Sequence, residues 1–275
     1  MVTGELPMPA AYAYREGHPA LAVARVLRAA LLPGGEMLRS PCLAYVIRHP
    51  AAGAILVDTG FHPEATSDRR RDFGPAMRLM FRALEVADTP YVDQLRRLGV
   101  EPDEVERVVM THLHVDHTSG MRLLPNARFV MSNDEWRGAH RRGAARNGFI
   151  AHHLPEESRL ELIDFEHDGE RHGPFERTLD LLGDGSIRLV STPGHTEGHL
   201  SLLVRTTGRQ VLLVGDAAYT VRSIGEQIAP LLTVDRERYA RSLAELKAFM
   251  DQEPDAIVVP SHDPSAWKRL GVAAA

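Results

Sequence analysis

Residues 111–117, Thr-His-Leu-His-Val-Asp-His, constrain this chain more than any other stretch. They follow Val105-Glu106-Arg107-Val108-Val109-Met110, a short β-branched run of the kind that forms a buried strand. Side chains alternate along extended backbone, so His112, His114 and Asp116 are expected to project to one side. His117 falls out of that alternation and requires the chain to turn, and Thr118-Ser119-Gly120 supply turn and cap chemistry there. Three imidazoles and a carboxylate crowded at a strand end are costly to place together unless a positive ion sits between them. Neutral imidazole and carboxylate are standard ligands for zinc-like ions. A polar loop or a pair of core histidines is the bland reading, but neither needs the full His-x-His-x-Asp-His spacing.

That motif after a strand resembles the metallo-β-lactamase superfamily, whose further ligands lie on later strand ends in a set order. Leu189-Val190-Ser191-Thr192-Pro193-Gly194-His195 looks like the next of them. Val211-Leu212-Leu213-Val214-Gly215-Asp216 resembles the strand that ends in the bridging aspartate, and Ile257-Val258-Val259-Pro260-Ser261-His262 the last histidine. The match runs from about residue 38 to about residue 265. The resemblance implies an α/β fold, the αβ/βα sandwich of two central, mostly antiparallel mixed sheets flanked by helices. It also implies that His112, His114 and His195 hold one divalent ion, that Asp116, His117 and His262 hold a second, and that Asp216 bridges them. Two ions about 3.5–4 Å apart can share a hydroxide. Zinc is the expected metal, although manganese, iron and cobalt accept the same ligands.

Length and composition narrow the class. A chain of 275 residues accommodates one large domain or two smaller ones. No linker or low-complexity tract divides it, so residues 1–275 are read as one domain. With Cys42 alone, no intramolecular disulfide can form, which fits a reducing compartment and a cytoplasmic location. Cys42 is read as a buried thiol. Net charge is −5 with acids and bases mixed along the chain, so nothing points to nucleic acid. Residues 1–20 lack a basic start followed by an apolar run, and no stretch approaches the roughly 18 uninterrupted apolar residues of a membrane span.

Elsewhere the pattern is coarser. Leu43–Ile47 and Ala54–Asp58 around Arg48–Gly53 read as a hairpin, and Leu200–Val204 with Gln210–Asp216 repeats that layout. Asp58 is read as a structural carboxylate near the site, and His62 as a neighbour outside the metal shell. Residues 20–32 form an amphipathic helix or an irregular edge pair, ended by Pro33-Gly34-Gly35. Phe73, Met77, Met80, Phe81 and Leu84 recur at helical spacing. They are read as a helix packed on the core or, alternatively, as a lid or subunit contact. Residues 89–98 read as a helix stopped at Gly99, 127–131 as a strand, and Ser132 with Glu135 as a capping box. Gly138–Ile150 is expected to be a surface loop or flap, and 236–250 an amphipathic helix. The adjacent His152 and His153 are expected to point apart, His167 and His172 to be solvated, and His199 to support the site rather than ligate.

Tyr219, three residues after Asp216, decides between reactions. An Asp-x-x-Tyr at this point, with Asp58-Thr59-Gly60-Phe61-His62-Pro63, resembles the N-acyl homoserine lactone lactonases, the quorum-quenching branch of the superfamily. That likeness implies a hydrolase in which the shared hydroxide attacks the lactone carbonyl. Tyr219 then steadies the oxyanion, and Asp116 passes a proton to the departing ring oxygen. It further implies a small-molecule lactone as partner and a homodimer. Another small-lactone or ester hydrolase on the same scaffold is the alternative, with a phosphodiesterase behind it.

Overall fold

The computed structural model describes residues 1–15, 17–31, 35–78 and 80–270. Leu32, the last residue of the expected segment, and Pro33 and Gly34 of its expected stop lie outside the described residues, as does the side chain of Met80. The chain folds as two compact units. The first comprises Met1–Leu6 and Pro41–Ile163, and the second Pro7–Ser40 with the described residues from Asp164 onward.

In the first unit a five-stranded sheet runs Tyr45–His49, Gly53–Val57, Arg107–Val109, Arg128–Ser132, Leu160–Ile163. Its first two strands form the expected antiparallel hairpin, with Tyr45 opposite Val57 and Gly53, at φ +70°, opening the second strand. The other three pairings are parallel, so this sheet departs from the antiparallel majority expected of it. The physical reason is that each later strand is reached through a crossover carrying helical turns, and such connections join parallel strands. Strands covered on both faces must be apolar throughout, and Leu56, Val108, Val109, Phe129, Val130 and Met131 are all buried. Arg107–Val109 is central, and the histidine motif leaves its C-terminal end, where open parallel sheets place their ligand sites.

The apolar stripe at residues 73–84 packs on the core, but not as one helix. Arg69–Met77 breaks at Gly74 (φ +67°), and Met80–Ala83 is a 3-10 turn. Phe73 and Phe81 stack at 5.0 Å between ring centroids, with Phe61 edge-on to both. Leu6, Cys42, Met77 and Leu84 close that cluster, so the stripe's described side chains are inside the unit rather than offered to a partner. The Gly138–Ile150 segment is not a free flap at its end either, since Phe149 and Ile150 are buried.

The second unit holds a six-stranded sheet in the order Ile257–Pro260, Gln210–Gly215, Leu200–Arg205, Ile187–Ser191, Phe175–Asp180, Glu170–His172. All its pairings are antiparallel except the first, between Ile257–Pro260 and Gln210–Gly215. The helix Arg236–Gln252 is capped by Asp235, whose carboxylate accepts from the amides of Glu237 and Arg238. Tyr239, Leu243, Leu246 and Phe249 recur every three or four residues and bury one face against Phe175, Val190, Leu212 and Val258. Residues 19–31 are helical, which settles the choice between helix and edge pair. No helix among the described residues is long and apolar enough to cross a membrane.

Glu245 sits on that long helix close to Glu176. Burial, then the Glu176 charge, pushes its carboxyl up to about 7. A carboxyl with a raised folded pKa favours the fold below the unfolded pKa, and that contribution is lost as pH climbs through the folded value. Glu245→Gln should therefore leave thermal stability nearly unchanged at pH 5 and raise it at pH 8. Melting curves across that range check this, and a constant difference between the two proteins would refute it.

Candidate metal centre

Four ligand-type side chains of the first unit lie in one turn. Backbone stays extended only to His114, which caps the single helical turn Val115–Thr118. Asp116 is thus helical, and the expected alternation ends one ligand early. The cause is visible in the hydrogen bonds: the His114 carbonyl accepts from the amides of His117 (3.0 Å) and Thr118 (3.1 Å) and from the Thr118 hydroxyl. The turn still gathers the set, with His112 and His117 ring centroids 4.1 Å apart and His112 and His114 4.7 Å apart. His117 Nε2 stands 3.7 Å from Asp116 Oδ2.

Asp58 organises this turn. It follows the strand Gly53–Val57 with φ +54°, unusual for a residue with a Cβ. One carboxylate oxygen accepts from the Thr111 amide, and the other from the Thr111 hydroxyl, both at 2.8 Å. Having given its proton to Asp58, the Thr111 hydroxyl accepts from His112 Nδ1 at 3.1 Å. His117 Nδ1 donates to Asp58 Oδ2 at 2.7 Å. Both rings thereby carry their proton on Nδ1 and their lone pair on Nε2, the tautomer that ligates with its back nitrogen anchored. Glu135 accepts from the Leu113 amide at 2.8 Å, so the carboxylate expected only to cap a helix also fixes the midpoint of the motif. Phe149 bridges to His114 and packs on its ring at 5.0 Å.

Asp58→Asn tests the anchor. An amide NH2 in place of Oδ2 would face two donors, so His117 must flip its proton onto Nε2 or lose its partner. Metal affinity should fall about 10–100-fold. Competition with a coloured chelator measures it, and unchanged affinity would reduce Asp58 to a packing role.

In the second unit three strands point the same way. Ile187–Ser191 and Gln210–Gly215 are both antiparallel to Leu200–Arg205, and Ile257–Pro260 is parallel to Gln210–Gly215. Their C-terminal ends therefore share one edge, and His195, Asp216 and His262 follow them. All three are buried. Asp216 Oδ2 lies 3.1 Å from His262 Nε2 and 3.5 Å from His195 Nε2. His199 has both nitrogens engaged: Nε2 accepts from the Asp216 amide, and Nδ1 meets the Thr192 hydroxyl, each at 2.9 Å. It positions the Asp216 backbone, as expected of a supporting residue. Gly194 has φ +131°, and a Cβ there would fall 2.3 Å from the Tyr239 amide nitrogen, so this position requires glycine.

Tyr219 is buried with its ring edge-on to His262 (5.2 Å) and to His195 (5.9 Å), and stacked on Tyr12 at 6.2 Å. Tyr14 donates to Thr220 Oγ1 at 3.0 Å. Sequence reading passed over Tyr12 and Tyr14, because nothing in the local pattern ties residues 12–14 to residue 219. His62 stays outside the ligand set: its amide donates to the Ser119 hydroxyl, and its Nδ1 accepts from the Glu64 amide. Burial, then the Arg122 charge, holds its imidazole below the usual range.

The donor chemistry in both units fits divalent cations. Ligand atoms of His112 and His114, of Asp116 and His117, and of Asp216 and His262 lie within 4.8 Å of one another. Imidazoles buried or half-buried beside buried carboxylates, with the His112 and His117 tautomers pinned, suit zinc-like ions.

The family model of the metallo-beta-lactamase superfamily matches residues 38–262. The chain is 33% identical over 233 residues to the N-acyl homoserine lactonase AttM of Agrobacterium fabrum, covering 82% of this chain and 83% of that protein. In structure it is similar to an N-acyl homoserine lactone hydrolase solved with N-hexanoyl-L-homoserine at its catalytic metal centre. That likeness has a TM-score of 0.68 at 24% identity and covers 98% of this chain and 96% of the other. It is also similar to AidC, a dizinc quorum-quenching lactonase, with a TM-score of 0.60 at 15% identity over 96% of this chain and 86% of that one. At those identities the structural likenesses speak for the fold.

Proposed function

Because this chain belongs to the metallo-β-lactamase superfamily, in the branch of the N-acyl homoserine lactonases, we propose that it opens the lactone ring of N-acyl homoserine lactones. The fold is the superfamily's αβ/βα sandwich, and the protein is a metal-dependent hydrolase. In this reading residues 1–275 work as one catalytic domain. His112, His114, Asp116, His117, His195, Asp216 and His262 would hold two divalent ions, with zinc the preferred metal. When bound, such ions supply an activated water at neutral pH and a Lewis acid for the ester carbonyl.

The chain's own residues do the rest. The single observation carrying the lactonase reading is Tyr219, three residues past Asp216 and set edge-on between His195 and His262. Its hydroxyl donates to the oxygen that becomes negative as the carbonyl carbon turns tetrahedral, a donor worth about 3 kcal/mol in such sites. Asp116 takes the proton released as water adds and gives it to the ring oxygen when the C–O bond breaks. One water is consumed to give a carboxylic acid and a primary alcohol, and the acid ionises by releasing one proton to solvent. Asp58 and Thr111 hold His117 and His112 in the ligating tautomer throughout.

The reading extends to a cytoplasmic homodimer acting on a small molecule, with neither nucleic acid nor membrane as partner. Turnover of homoserine lactones of several acyl lengths, beside a plain γ-lactone, an aryl ester and a phosphodiester, tests it. Preference for the acylated homoserine lactones supports it. A better plain lactone or ester would assign the chain to another ester hydrolase, and phosphodiester cleavage alone would sink the reading.

A further inference from the structure

His152 and His153 do not point apart as neighbours on a strand would. They lie on the 3-10 turn Ala151–His153, and their ring centroids are 4.6 Å apart at 77°. His153 is buried, and its Nδ1 lies 3.1 Å from the Thr118 hydroxyl. That hydroxyl donates its one proton to the His114 carbonyl, so His153 Nδ1 is the donor in the contact. The lone pair of the neutral ring then falls on Nε2. This buried nitrogen has no hydrogen-bond partner among the described residues, yet Oδ1 of the buried Asp72 stands 3.4 Å away. Two lone pairs facing each other across a buried gap are unfavourable unless positive charge lies between them.

The distance suits a metal ion. In a tetrahedral zinc site with bonds of about 2.1 Å, neighbouring ligand atoms are about 3.4 Å apart. One ligand atom each from Asp72, His152 and His153 lie within 4.8 Å of one another. We propose that Asp72, His152 and His153 form a further divalent-cation site of the zinc type, separate from the seven ligands of the candidate catalytic centre. Water completes the shell on the exposed side of His152.

The surroundings are those of a held ligand. Asp72 Oδ2 accepts from the Ser119 hydroxyl at 2.7 Å, and Oδ1 accepts from Arg122 at 3.1 Å, so both oxygens are oriented. Burial, then His153, pulls the His152 imidazole below its usual value, which favours the neutral, ligating ring. Arg122 opposes a second positive charge at Asp72, so this site binds more weakly than the seven-residue set. Its role is bracing. Thr118 and Ser119 directly follow His117, so a filled site ties the turn bearing Asp116 and His117 to residues 72 and 152–153.

The site stands on these residues whatever the chain hydrolyses, and its test is a difference in count. Full-length protein is saturated with zinc, freed of loose ion by gel filtration and analysed by mass spectrometry beside His152→Ala. His152 is exposed, so the variant should fold. The wild type should retain one more zinc per chain, and its chelator titration should show a weaker phase that the variant lacks. Lactone turnover should remain measurable in both proteins, because His152 is outside the proposed reaction. Equal counts and superimposable titrations would overturn the proposal and leave His153 and Asp72 as a buried pair with no ion between them. Failure of the lactonase reading would instead appear as absent turnover in both proteins, with the one-ion difference intact.

Discussion

Asp216→Asn should abolish most turnover and release metal. The change removes a charge but little volume, and the buried neighbours His195 and His262 lose the carboxylate that both approach. Activated water and carbonyl polarisation together contribute several kcal/mol, and each 1.36 kcal/mol is a tenfold change in rate, so turnover should fall about 10³-fold or more. Zinc content measured on the same preparation should fall with it. A variant that keeps its metal and comes within about tenfold of the wild-type rate would falsify a ligand role for Asp216.

Tyr219→Phe comes second, with an expected loss of about 10²–10³ in kcat. Phenylalanine keeps the stack on Tyr12 and the edge contacts to His195 and His262, so the substitution removes the hydroxyl alone. KM and metal content should change little, because the hydroxyl matters only once the carbonyl oxygen has become negative. Steady-state kinetics beside metal analysis separates this from a packing role. If kcat moves by less than about twofold, Tyr219 is there to pack, and the lactonase reading loses its main residue-level support.

Periodicity and strand-end position made much of this legible in the sequence. Both hairpins, the helix Arg236–Gln252 and the apolar strand preceding the histidine motif follow from local pattern. What failed was what tertiary contacts decide. Asp116 is expected on extended backbone, because alternation cannot foresee that the His114 carbonyl closes a helical turn through the amides three and four residues on, local though those bonds are. Residues 73–84 have the spacing of one helix, yet Gly74 breaks it while the same phenylalanines still reach the core. Burial was legible there, backbone was not. Asp72 gave no signal at all: it lies in a run of arginines, and only folding brings it to His153. Glu135 was visible as a capping residue, but its second bond, to the Leu113 amide, spans 22 residues and belongs to no local motif.

The absent side chain at Gly194 has a consequence for motion. With the Tyr239 backbone where a methyl would be, and with the amides of Val234 and Asp235 both donating to the Gly194 carbonyl, the segment before His195 is clamped to the start of Arg236–Gln252. His195 therefore cannot swing on the fast timescale of an ordinary loop. To displace the backbone that carries that imidazole is to break its hydrogen bonds at the cap of a helix of 17 residues. A loop residue is held here with the stiffness of the helix behind it.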